Sequence, residues 1–243
     1  MKFNFEKLSK SYRKKKLLVV GDVILDAYVW GIVDRMSPEA PVPIVQSGEH
    51  GQQPGGAANV ALNLTNLGAK VSLVGLVGDD DEADLVEKKL VESGVTNHLV
   101  RDNSRPTTNK IRYMVDNQKL FRVSRLKEHS LSRAVEEIII EKIVELVPSL
   151  QGIVTTDFVY AVITPNILSV ITELSKEHGV PVFGDLQCSS QIGNVTKFRQ
   201  FDLITPTERE ARISVKNNED GLVVLAEKLK KQSSAHNIYL KIG

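Results

Sequence analysis

The chain has 243 residues and carries 31 Lys+Arg against 30 Asp+Glu, a formal net charge of +1. That length fits a single domain with a sizeable core, and the near-neutral balance excludes nucleic-acid or membrane-surface binding through a large single-sign field. The one cysteine, Cys188, excludes a disulfide framework and a multi-thiolate zinc site, and fits a reducing, cytoplasmic compartment.

In chain order, Leu17, Leu18, Val19 and Val20 read as a buried strand ending at Gly21. Asp22 and Asp26 interrupt the apolar stretch 17–33, so it cannot span a bilayer. Residues 28–47 hold three prolines and many β-formers with no helical period. Ala57, Val60, Ala61, Leu64 and Leu67 recur at helical spacing, with Gly68 as the stop. A second strand is predicted over 71–77. The next helix begins at the negative run Asp79, Asp80 and Asp81 and stops at Gly94. Residues 107–126 read as a hairpin turning at Asp116 and Asn117. Helices follow over 131–146, 165–178 and 221–231, and strands over 152–156, 181–183, 202–204 and 238–242. Strand then helix, repeated, predicts parallel crossovers and an α/β sheet covered on both faces. The segments 28–47 and 107–126 do not fit that alternation, and together predict a small β-layer projecting from the sheet edge. The final strand reads as a central one with no covering element after it, which suggests a fragment or an unusual terminus.

Three places carry candidate chemistry. Gly55 and Gly56 open the helix at Ala57, where glycine lets backbone approach a ligand and free amides are on offer. A tight turn explains the same glycines, but Asn59, in that helix's first turn, could face the same ligand. Asp22 and Asp26 lie beyond the first strand, at the end where parallel sheets bind ligands, and carboxylates there suit sugar hydroxyls. Asp22 reads equally as a turn cap, whereas Asp26, among apolar neighbours, needs a partner. The five histidines form no metal-spaced cluster, and Cys188 reads as structural or as lining a ligand pocket.

The strings Gly21-Asp22-Val23-Ile24-Leu25-Asp26, Arg35-Met36-Ser37-Pro38-Glu39-Ala40-Pro41-Val42-Pro43 and Pro54-Gly55-Gly56-Ala57-Ala58-Asn59 closely resemble the ribokinase-like (PfkB) carbohydrate kinases. Within them the chain is most similar to the heptose 7-phosphate kinase domain of bifunctional ADP-heptose synthases. Val74 to Asp80 and Arg105 to Arg112 continue the likeness. The resemblance implies a three-layer sandwich with a β-lid, a homodimer through that lid, and transfer of a phosphoryl group from ATP, with Mg²⁺, to a sugar-phosphate hydroxyl. It implies that Asp26, Asn59, Gly55 and Gly56 meet the sugar, with Asp157 on the same side. Arg35, Lys110 and Arg112 become candidates for the substrate phosphate, though a solvated lid surface explains each of them as well. Asp185, Thr207, Glu210, Lys241 and Gly243 fall on the nucleotide side, with Glu210 as the candidate metal residue.

The chain also departs from that pattern. Asp157-Phe158-Val159-Tyr160-Ala161 stands for the family's Asp-Tyr-x-Lys-Gly, Asp185-Leu186-Gln187 for Asp-Pro-Lys, and Thr207 for an Asn. No Gly-x-Gly-Asp, the family's anion hole and base, occurs in the 243 residues. A non-catalytic sugar- or nucleotide-binding protein, and a kinase for another sugar or nucleoside, therefore stand beside the heptose kinase as alternatives.

Overall fold

The computed structural model describes residues 5–188 and 192–242. The helices are α1 (Phe5–Tyr12), α2 (Ala57–Asn66), α3 (Asp81–Glu92), α4 (Arg133–Leu146), α5 (Pro165–His178), α6 (Glu208–Val215) and α7 (Leu222–Ser233). The strands are β1 (Lys16–Met36), β2 (Pro43–Gly56), β3 (Lys70–Val77), β4 (Thr96–Arg101), β5 (Thr108–Val115), β6 (Gln118–Arg125), β7 (Gly152–Asp157), β8 (Val182–Leu186), β9 (Leu203–Ile204) and β10 (Asn237–Ile238). The main sheet is parallel throughout, in the order β10-β9-β8-β7-β1-β3-β4. Adjacent β1 residues serve opposite faces. Leu18 and Val20 belong to the core shared with residues of α4, α5, α6 and α7, while Val19 belongs to the core shared with α2 and α3. Each such fully buried aliphatic contributes about 1.5–3 kcal/mol.

The strand at 17–20 does not stop at Gly21. β1 runs on for 21 residues and is the spine of both sheets. A Cβ on Gly21 would lie 2.0 Å from the Thr156 carbonyl oxygen, so the glycine allows β1 to pass β7 closely rather than to turn. Burial is continuous from Leu18 to Leu25, then alternates from Asp26 to Val29, which marks where the strand leaves the covered layers. The outer part of β1 pairs antiparallel with β2 and parallel with β5, and β6 closes the group antiparallel to β5. The β-layer therefore grows from the end of a central strand, not from the sheet edge. Asp116 and Asn117 turn the β5–β6 hairpin with φ of 47° and 63°, the left-handed pair a two-residue turn requires.

The expected final strand is also different. Only Asn237 and Ile238 form β10, the outermost strand of the main sheet among the described residues, and Lys241 adds one bridge to Thr207. The strand expected over 238–242 is longer than the one formed, and Tyr239 and Ile242 stay exposed. No described helix is long and apolar enough to cross a membrane.

Candidate active site

β1 and β5 carry the first cluster. Parallel register sets Asp26 beside Lys110 and Tyr28 beside Arg112. Arg112 Nη1 donates to Asp26 Oδ1 at 2.6 Å, and its guanidinium lies 5.3 Å from the Tyr28 ring centre. Gly55, opposite Ile24 on β2, leaves room for that carboxylate, since a Cβ there would fall 2.2 Å from Asp26 Oδ2. Gly56, the N-cap of α2, has φ +58°, a conformation that glycine adopts without cost.

Lys110 is only 4% exposed. Its ammonium lies 5.4 Å from the centre of the Phe158 ring and 5.0 Å from that of Tyr160. Among the described residues no carboxylate pairs with it, so one buried cation beside the neutral Asp26–Arg112 pair carries no compensating charge. The Tyr160 hydroxyl is also buried without a hydrogen-bond partner among the described residues.

Asp22 holds the segment that carries those rings. Its Oδ2 accepts from the Phe158 and Tyr160 amides at 2.7 and 3.2 Å, and its Oδ1 from the Val162 amide at 3.1 Å. Burial, and then the neighbouring Asp157 charge, push its pKa up to about 6 against the lowering pull of those amides. Asp157 is itself buried, with one oxygen accepting the Val159 amide at 2.8 Å and the other paired with Lys197. Val159 and Ala161 have φ of 62° and 83°. Where the resemblance expects a glycine, Ala161 occupies left-handed backbone.

The Asp79-Asp80 and Arg105-to-Thr108 motifs prove to be one joint at the base of β5. Asp80 caps α3 by accepting from Ala83 at 3.0 Å, and it also accepts from the Thr107 hydroxyl and amide at 2.6 and 2.8 Å. Burial alone would raise Asp80, but the Thr107 and Ala83 bonds and the Arg125 charge outweigh it and hold the carboxyl below its usual range.

A second cluster sits at the carboxyl ends of β8 and β9. Asp185 Oδ1 accepts from Thr205 Oγ1 and from Lys241 Nζ, each at 2.7 Å. Thr207 bridges to Lys241 and forms a capping box with Glu210 at the start of α6. Glu210 is buried. One of its oxygens accepts the Thr207 amide and the other the Cys188 amide, at 2.8 and 3.0 Å. Thr207, Arg209, Arg212 and Lys241 line an open hollow of about 710 Å³.

The structure thus brings Asp26, Gly55, Lys110 and Arg112 together, and Asp185, Thr207, Glu210 and Lys241 together. It does not bring Arg35 to the first group. Because β1 continues, Arg35 stands nine residues beyond Asp26, roughly 30 Å of extended strand, exposed near the tip. Asn59 is exposed on α2, where its Oδ1 accepts from Asn63 Nδ2 at 3.4 Å, with no hydrogen bond to Asp26 among the described residues. Gly243 lies outside the described residues. Sequence reasoning missed the Asp157–Lys197 pair and the gathering role of Asp22. The Asp-x-x-x-Asp spacing marked Asp22 without revealing its partners 136–140 residues away.

Residues 14–240 match the sequence profile of the pfkB family carbohydrate kinases. The chain is 36% identical over 214 residues to the bifunctional protein HldE of Proteus mirabilis (strain HI4320), covering 87% of this chain and 44% of that one. It is 35% identical over 201 residues to HldE of Citrifermentans bemidjiense, covering 82% and 40%. It therefore spans less than half the length of these relatives. Among solved structures it is similar to phosphofructokinase-2 from Escherichia coli in complex with fructose-6-phosphate, with TM-score 0.74, 14% identity and coverage of 94% and 74%. Ribokinase from Giardia lamblia gives TM-score 0.73 at 16% identity, with coverage of 94% and 74%. With the family profile matched along nearly its whole length and the ribokinase-like fold in place, the chain belongs to the pfkB family of carbohydrate kinases.

Proposed function

We propose that the chain binds a sugar phosphate between the lid and the main sheet, as the kinase part of a heptose 7-phosphate kinase that phosphorylates the anomeric hydroxyl. The observation that carries this is the joining of Asp26, a carboxylate acceptor for sugar hydroxyls, with the uncompensated Lys110 ammonium and the Arg112 fork. Hydroxyls donate to ionised carboxylates, and phosphate oxygens match ammonium and guanidinium donors. Gly55 leaves the room that the Asp26 carboxylate fills.

ATP is the second substrate of this reading, with Mg²⁺ as its ion. The residues fit such an anion. Lys241, Arg209 and Arg212 border the open hollow, and each Glu210 oxygen, after accepting one amide, keeps a lone pair for a metal-bound water. When bound, Mg²⁺ neutralises charge developing on the transferred phosphoryl group. Asp26 orients the accepting sugar, and Asp185 holds Lys241 toward the nucleotide side.

The same reading includes a homodimer through the lid. Its exposed apolar residues include Ile32, Met36, Phe121 and Val123, more than a small β-layer can cover alone.

Calorimetry with heptose 7-phosphate and with the unphosphorylated heptose tests the substrate. The phosphorylated sugar should bind at least ten times more tightly, since one charge-assisted contact contributes about 1.5–3 kcal/mol. Equal affinities would remove Lys110 and Arg112 from phosphate recognition.

A further inference from the structure

We infer that Asp22 is a positioning residue that never touches the sugar: it folds the 158–162 loop around its carboxylate, and the loop's two rings in turn place the Lys110 ammonium beside Asp26. This rests on the sugar-phosphate reading above. The 158–162 loop is not self-supporting. Val159, a β-branched residue, and Ala161 both occupy left-handed backbone, which side chains other than glycine rarely adopt. The three amides of Phe158, Tyr160 and Val162 converge on the two oxygens of Asp22, which is 1% exposed. Without the Asp22 carboxyl there, three amide donors, those of Tyr160 and Val162 buried, lose their acceptor at once. Two of the residues so held, Phe158 and Tyr160, are those whose rings stand 5.4 and 5.0 Å from Lys110 Nζ. Lys110 is the register partner of Asp26. Asp22 sits at the point where β1 leaves the main sheet, and its own carbonyl oxygen would lie 2.3 Å from a Cβ on Gly56. One residue thus contacts the start of α2, the loop after β7 and, through two rings, the lid.

The substitution Asp22→Asn keeps the volume but turns an NH₂ group toward an amide donor. Hydrogen exchange on the ligand-free 243-residue chain should show at least tenfold faster exchange at the Phe158, Tyr160 and Val162 amides, with Val154 in β7 unchanged. Calorimetry should show heptose 7-phosphate bound at least tenfold more weakly and ADP within twofold of the parent. A second variant, Phe158→Leu, leaves Asp22 and its amides in place. It should keep the loop protected yet weaken heptose 7-phosphate at least threefold, because one ring has gone from Lys110. Intact loop protection in Asp22→Asn overturns the inference. So does a deprotected loop with unchanged sugar-phosphate affinity. If the parent chain binds no sugar phosphate, the site reading fails separately, and loop protection alone still decides whether Asp22 holds the loop.

Discussion

Replacing Gly55 by alanine separates substrate recognition from folding. The added Cβ would stand 2.2 Å from Asp26 Oδ2 and 2.8 Å from its Cγ, with the next contact, Ile24 O, at an ordinary 3.4 Å. The clash is with a side-chain end, so the backbone can stay while the carboxylate rotates away. Rotation breaks the 2.6 Å bond to Arg112, a pair whose side chains are 23% and 20% exposed. A partly exposed pair of that kind is worth about 1 kcal/mol, so the fold should hold. A sugar that loses a charged acceptor loses about 1.5–3 kcal/mol, or roughly ten- to a hundred-and-fifty-fold in affinity. Calorimetry with heptose 7-phosphate and with ADP, beside urea unfolding, reads all three quantities. The neighbouring Gly56→Ala should fail in the opposite way. Its φ is +58° and its Cβ would meet the Asp22 carbonyl at 2.3 Å, so the backbone conformation alone costs about 1–3 kcal/mol of stability. A folded Gly55→Ala chain with undiminished sugar-phosphate affinity would refute the assignment of Asp26 to the sugar.

Asp22 makes stability depend on pH. Its folded-state pKa, about 6, lies above the ordinary 3.8, so the folded chain holds the proton longer than the unfolded one. Stability from this group therefore falls as pH rises from about 4 to 6 and is flat above, by about 3 kcal/mol in all. Urea unfolding at pH 4.5 and 7 should show a smaller fall in Asp22→Asn, and parallel profiles would count against the shift. Sedimentation at micromolar concentration should find a dimer, and Val123→Asp on the exposed strand β6 should give monomers; a monomeric parent chain sinks the lid contact. In a coupled ADP-release assay with heptose 7-phosphate, the 243-residue chain should show no useful turnover, since it holds no Gly-x-Gly-Asp and losing one oxyanion donor alone costs roughly a hundred- to a thousandfold. Measurable turnover would point to Asp157 or Asp185 as the base.

Local pattern determined much of this protein. Apolar runs at 17–20 and 71–77, helical spacing from Ala57, the prolines of 28–47 and the turn at Asp116 and Asn117 are each encoded within a few residues of chain, and the structure keeps them all. α5 begins at Pro165 and ends at His178 as its periodicity and Gly179 stop require. β4 and α6 escaped because Asn97 and His98, and the charged run from Glu208 to Arg212, carry no clear period. The Gly-Gly pair and Asp26 stood out as candidates because glycine spacing and an acidic residue after a strand are chemical signals in themselves. Their partners were not. Gly21 reads locally as a stop, and only Thr156, 135 positions away, makes it a crossing point. Asp26 meets Arg112 across 86 positions, and Asp22 meets Phe158 across 136. Such contacts depend on which strands lie side by side. A side chain's burial, its pairing and hence its charge state follow from that arrangement, so tertiary structure alone decided that Asp22 holds a loop, that Lys110 is buried between rings and that Arg35 stands far from both.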